Sequence, residues 1–268
     1  MKRHHEIMFL LLAFVLALAP ISVTSAKEPE PRKKTTFEIP SSVVNIGKEN
    51  TISNPSSELP RLAPSKFTKE LLENSKVKIE NPNLIRILNE SAVTKSPLSF
   101  GARATIFLGE WALNYESEET DPNWKYQKIN TNFYDNRGGT GNYQIHYVQE
   151  SQKTIKGGLT SKVTHPEDVQ KMMQEKAREK VNLPLSFETI IGAGTKHTHV
   201  YNIPPTRVGY LYAYAPAVSE KGKLTYGEVY LLLKGTKQKI VLKNVTTQEI
   251  GAWIPIQDHL SFSFETRE

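Results

Sequence analysis

Residues 207–234 read RVGYLYAYAPAVSEKGKLTYGEVYLLLK and carry five of the eleven tyrosines in the chain. Successive residues of a strand face opposite sides, so this passage sorts by parity. In its first arm Val208, Tyr210, Tyr212 and Tyr214 share one face, and Gly209, Leu211, Ala213 and Ala215 share the other. Ser219-Glu220-Lys221-Gly222-Lys223 reads as a turn, and a second arm then sets Leu224, Tyr226, Glu228, Tyr230 and Leu232 on one face. Two alternating arms around a glycine-containing loop predict a β-hairpin. One of its faces is small and aliphatic, and the other is a ladder of tyrosines.

Outward from the hairpin, further strands are predicted over 185–191, 198–203, 239–246 and 252–264 on the C-terminal side. On the N-terminal side they are predicted over 100–108, 124–134, 142–149 and 153–163, the last bent at Gly157-Gly158. The turn-rich segment Asp135 to Gly141 reads as a plain hairpin connection, because Asn-x-Gly-Gly chemistry is what such turns demand. One amphipathic helix interrupts the strands at about 165–181. Its apolar stripe is Val169, Met172, Met173, Ala177 and Val181, with Thr164 and Glu167 spaced as a capping box. Shorter helices are predicted over 66–74, capped by Ser65, and over 82–90, capped by Asn81 with Pro82 in the first turn. The predicted class is therefore α+β, mainly β, built from antiparallel sheet with one helix packed on it.

The N-terminus reads as a targeting segment. A basic start (Lys2, Arg3, His4, His5) precedes the apolar run Ile7 to Ala19, and small residues end at Ala26. The run is shorter than the roughly 20 residues of a membrane-spanning helix. A secretory signal over 1–26, cleaved after Ala26, is the expectation, with an uncleaved N-terminal anchor as the alternative. Residues 27–64 form a Pro- and Ser-rich tail or linker in which 37–46, FEIPSSVVNI, can add an edge strand. Residues 65–268 form the single expected domain.

The chain has no cysteine, which excludes disulfides, a lipoprotein anchor and zinc–thiolate sites. Removing Lys2, Arg3 and Glu6 from 34 basic and 28 acidic residues leaves 32 against 27, a net charge of +5. Mild basicity outside the cell favours anionic wall polymer or a membrane surface as partner. The scattered charges and the lack of a recognition motif argue against nucleic acid.

Catalytic motifs are sparse. No G-x-S-x-G elbow, no S-x-x-K with its usual companions and no H-E-x-x-H occurs. His197 and His199, two apart on a predicted strand, can point the same way, and Asp258 and His259 can complete a metal site if the fold brings them near. That set is the basis of an alternative function, an extracellular metal-dependent hydrolase. No cofactor is otherwise called for. The tyrosines Tyr210, Tyr212, Tyr214, Tyr226 and Tyr230 are the better candidates for a ligand-binding face, because aromatic rings stack on sugars and on apolar groups. The competing expectation is that the helix at 165–181 lies across them, with Met172 and Met173 against the rings.

Five stretches resemble the YfkD-like family, a group of exported proteins of spore-forming Gram-positive bacteria. They are NTNFYDNRGG (130–139), PLSFETIIG (184–192), GYLYAYAPAV (209–218), TYGEVYL (225–231) and GAWIPIQDH (251–259). The resemblance implies secretion and a single domain, and brings no catalytic residue with it. The expected function is an exported, non-enzymatic protein of the cell envelope with a binding or scaffolding role.

Overall fold

The computed structural model describes residues 37–47, 51–53, 62–91, 103–235 and 237–268. Residues 1–26, where a signal is expected, lie outside the described residues. Among those described, eleven strands and three helices give an α+β, mainly β protein with antiparallel pairing throughout. In chain order the strands are β1 Val43–Asn45, β2 Thr51–Ser53, β3 Arg103–Asp135, β4 Tyr143–Val148, β5 Lys153–Lys156 and β6 Gly158–Leu159. They continue with β7 Glu188–Ile191, β8 Lys196–Ile203, β9 Val208–Lys234, β10 Lys237–Pro255 and β11 His259–Arg267. The helices are α1 Lys66–Glu73, α2 Pro82–Glu90 and α3 Pro166–Val181.

The predicted hairpin is one strand. β9 runs 27 residues without turning at Ser219–Lys223, and at about 3.3 Å per residue it reaches roughly 85 Å. Pairing on both edges explains this. Lys221 lies opposite Glu119 of β3 and Gly251 of β10, and Lys223 opposite Glu116 and Glu249, so the local backbone groups enter ladders rather than a loop. The actual hairpin turn follows Lys234, with Gly235 in the left-handed region at φ 59°. β3 likewise merges two predicted strands, 100–108 and 124–134, across the polar run Glu116 to Asp121. It absorbs five register shifts along β9.

β9 is flanked by β3 along its length, and on its other edge first by β11 and then by β10. Pro216 sits where that neighbour changes, since β11 pairs as far as Tyr214 and β10 starts opposite Ala217. β3 also jumps register there, between Asn123 and Gln127. A residue without an N–H fits such a break in the ladder. The buried parity of β9 changes at the same place. Leu211, Ala213 and Ala215 are buried before Pro216, and Val218, Glu220, Leu224 and Tyr226 after it.

Three layers cover different lengths of this sheet. Tyr147, Ile155 and Ile191, from the sheets β4-β8 and β2-β7-β5, pack with Leu211, Ala213, Ala215 and Phe262. Helix α3 covers the middle through Val169, Met172, Met173 and Ala177 against Tyr115, Val218, Leu224 and Tyr226. Helices α1 and α2 cover the far end through Leu71, Leu84 and Leu88 against Leu113, Val229, Leu231 and Ile240.

Local rules account for most helix ends. Ser65 caps α1 by accepting from the Thr68 N–H, and Asn81 caps α2 by accepting from Asn83 and Leu84. The capping box expected for α3 is not formed. Its N-cap is His165, left-handed at φ 52° and without a side-chain cap, and its ring stacks on Trp111 at 5.5 Å. Asp168 of that first turn instead accepts from Asn81 and Asn83, which ties α3 to the start of α2. Gly157 breaks the strand predicted over 153–163 into β5, which pairs with β7, and β6, which pairs with β10 and ends at Leu159.

The connection 136–142 does not close a hairpin, because β4 pairs with β8 rather than β3. Asn136 organises it, donating through Nδ2 to the carbonyls of Gly141 and Ile203. Asn130 and Asn132 of β3 then donate to Val148 O, so side chains replace the missing backbone ladder.

Candidate functional site

The five tyrosines share parity on β9, as the sequence predicts, but they do not share an environment. Tyr226 is buried beneath α3 with Met172 and Met173. Tyr210, Tyr212 and Tyr214 lie before the parity switch and are partly exposed, and Tyr230 lies beyond α3 and is also partly exposed. The helix therefore covers one of the five rings, and the expectation that it lies across the whole ladder is corrected.

The first three rings form a row with a cation above each. The Arg267 guanidinium lies 5.1 Å from the Tyr210 centroid, Lys128 Nζ 5.0 Å from Tyr212, and Lys125 Nζ 5.6 Å from Tyr214. Tyr210 stacks on Tyr212 at 6.1 Å and on Phe133 at 6.1 Å, and Phe133 is 64% exposed. Cross-strand register produces this, setting Phe133 beside Tyr210 and Lys128 beside Tyr214 on β3, and Glu265 beside Tyr210 on β11. The Tyr212 hydroxyl donates to Glu265 at 2.7 Å, which holds the phenol above its ordinary pKa. Glu265 is in turn held low by that hydroxyl and by Arg267. Among the described residues Lys125 and Lys128 make no ion pair. The row is thus a set of aromatic planes with two cations available to an anion.

The middle of the sheet holds a cluster that sequence reading missed. Glu220 is fully buried, and it accepts from the hydroxyls of Tyr115 at 2.8 Å, Thr120 at 2.6 Å and Ser117. Burial pushes its carboxyl pKa up, against the three hydroxyls, and burial together with the Glu220 charge pushes the Tyr115 phenol up. Gly222 makes room for it, since a Cβ there would lie 2.7 Å from Tyr115 Oη and 2.1 Å from Glu116 O. With no opening to solvent at Glu220, this cluster binds α3's platform together rather than a ligand. On the opposite face an open groove of about 360 Å3 is lined by Glu118, Glu119, Thr160, Lys221, Glu249 and Gly251. Its charges are largely spoken for, Lys221 by Glu119 at 2.8 Å and Lys223 by Glu118 at 2.6 Å.

The histidine set of the hydrolase alternative is held by other partners. His197 stacks on Phe262 at 5.6 Å, and its Nδ1 accepts from the His199 N–H at 3.3 Å. Burial, then the neighbouring His199, lowers its pKa. His199 meets Tyr201 edge-on at 4.7 Å. Asp258 is buried in the β10–β11 turn at φ 57° and accepts from Thr51, while His259 Nδ1 contacts Gln257 O at 2.8 Å. Among the described residues no three His, Asp or Glu side chains gather as a metal-binding group.

Comparison with known proteins matches the family described as YfkD-like protein over residues 40–268. The chain belongs to the YfkD-like family. It is 61% identical over 232 residues to the protein named "Uncharacterized protein YfkD" of Bacillus subtilis (strain 168), covering 87% of this chain and 88% of that protein. The family assignment thus rests on the region holding all three covering layers and the tyrosine row. Among solved structures, a lamprey immune protein is similar over 61% of this chain and 53% of its own, at 8% identity and a TM-score of 0.25.

Proposed function

We propose that this YfkD-like protein is an exported, non-enzymatic protein of the bacterial cell envelope that binds anionic wall polymer through the row Tyr210, Tyr212 and Tyr214. The observation that carries the reading is the uncovered row itself, three rings on one strand with a cation over each. Sugar rings stack on aromatic faces, and flexible lysine amines pair with phosphate or carboxylate, so the combination suits a charged glycan. The basic start and apolar run at the N-terminus support export, and the net positive charge supports an anionic partner.

The test is retention of the purified protein on isolated walls and on membrane fractions at physiological salt. Retention on walls is expected, weakened by Tyr212→Ser and by Lys128→Gln. A protein that washes through walls at that salt contradicts the proposal.

A further inference from the structure

The far end of the sheet carries a second face that no described element covers, separated from the tyrosine row by α3. Beyond α3, among the described residues, only β3, β9 and β10 remain, and α1 and α2 cover one side of them. Register fixes what stands on the other side. The outermost row is Arg103, Lys234 and Lys237, and the next is Thr105, Leu232 and Lys239. Behind these lies Phe107, Tyr230 and Val241, and then Glu110, Glu228 and Lys243. Phe107 is 57% exposed. The hairpin turn at Gly235 puts this face at an extremity of the sheet.

Its chemistry is graded from cationic to apolar. Arg103, Lys234, Lys237, Lys239 and Lys243 are all exposed, and among the described residues none of them has an ion-pair partner. Lys243 lies over the Tyr230 ring at 4.6 Å, and Phe107 packs against that ring at 5.0 Å. The two carboxylates, Glu110 and Glu228, close the patch on its inner side. Glu228 is engaged by the Tyr230 hydroxyl and by Asn244, which leaves the outer rows wholly basic.

We infer that this end of the sheet docks on a bilayer surface containing anionic lipid, with the outer cations at the headgroups and Phe107, Tyr230 and Leu232 at the headgroup–acyl boundary. Charge complementarity selects that occupant. Unpaired lysines and arginine are drawn to an anionic leaflet, and aromatic residues beside them favour the interfacial zone. The tyrosine row has a different composition, with its Arg267 paired to Glu265 and only its Lys125 and Lys128 unpaired among the described residues. Docking by the far end leaves that row free, so the two surfaces are read by separate variants.

The experiment is co-sedimentation of the full chain with phosphatidylcholine vesicles, with and without phosphatidylglycerol. Binding to the anionic vesicles is expected, weakened by salt. Lys239→Gln/Lys243→Gln should lower partitioning roughly tenfold or more. Phe107→Ser should weaken it at every salt concentration. Both lysines are exposed, so the lysine pair keeps the test valid if Phe107→Ser fails to fold. Lys162→Gln/Lys196→Gln, a matched loss of charge outside both faces, should leave binding unchanged. Equal binding to neutral and anionic vesicles overturns the inference. Binding that survives both tip variants also overturns it, since the attraction would then lie elsewhere, including the apolar run Ile7 to Ala19. Loss of wall retention in the lysine pair with vesicle binding intact would make this end a wall contact and overturn it as well.

Discussion

Tyr212 and Tyr226 stand on one strand, on the same parity, and meet opposite fates. Tyr226 is closed off by Met172 and Met173 of α3, while Tyr212 has Lys128 above it and remains partly exposed. Alternation along a strand settles which residues face together and leaves open which face is covered. Coverage here is decided by other parts of the chain, and each covering layer reaches only one section of β9. The switch at Pro216 lets one strand serve a core on one face and then on the other.

The comparison is broken most severely in the covered section. Gly222→Val places a side chain against Glu116 O and Tyr115, so the α3 platform must distort. A loss of about 3 kcal/mol or more is expected in urea unfolding, or no soluble protein at all. Met173→Ala, at a fully buried position, should cost about 3 kcal/mol by the same measurement. If instead it costs no more than a surface substitution, α3 does not cover Tyr226.

Glu220 sharpens the contrast through pH. Its folded pKa is raised above the unfolded value by burial, so its contribution to stability is full below the unfolded pKa and is lost as pH rises through the folded one. Glu220→Gln should remove that trend, and the variant should gain stability relative to the parent as pH climbs from the acid range to neutrality. Parallel unfolding curves for both proteins at several pH values check this. The smallest effect on stability belongs to the exposed section, where Tyr212→Ser should change it by no more than about 1 kcal/mol.

How much was legible in the sequence follows from what each rule measures. Helical spacing and caps located α1 and α2, because Ser65 and Asn81 act on groups within three residues. The mainly β class and the parity of the tyrosines were legible for the same local reason. The five-residue segment Ser219–Lys223 reads locally as a turn, since its polarity is loop-like, yet it lies inside β9. Its strand state depends on backbone pairing with β3 and β10, whose partner residues are far away in the chain, and Glu118 and Glu119 then meet Lys223 and Lys221 across that pairing. The same distance hid the Glu220 hydroxyl cluster and the cations over the rings. Lys125, Lys128 and Arg267 meet the tyrosines only once register is fixed. The histidine pair was visible, but a spacing of two gives direction without a third ligand.

The most direct measurement is tyrosine nitration mapped by mass spectrometry, with and without purified wall fragments. Tyr210, Tyr212 and Tyr214 should react in the free protein and be protected by the fragments, while Tyr226 stays unreactive in both conditions. Equal reactivity of Tyr226 and Tyr212, or fragments that leave Tyr210 to Tyr214 unprotected, would contradict the account.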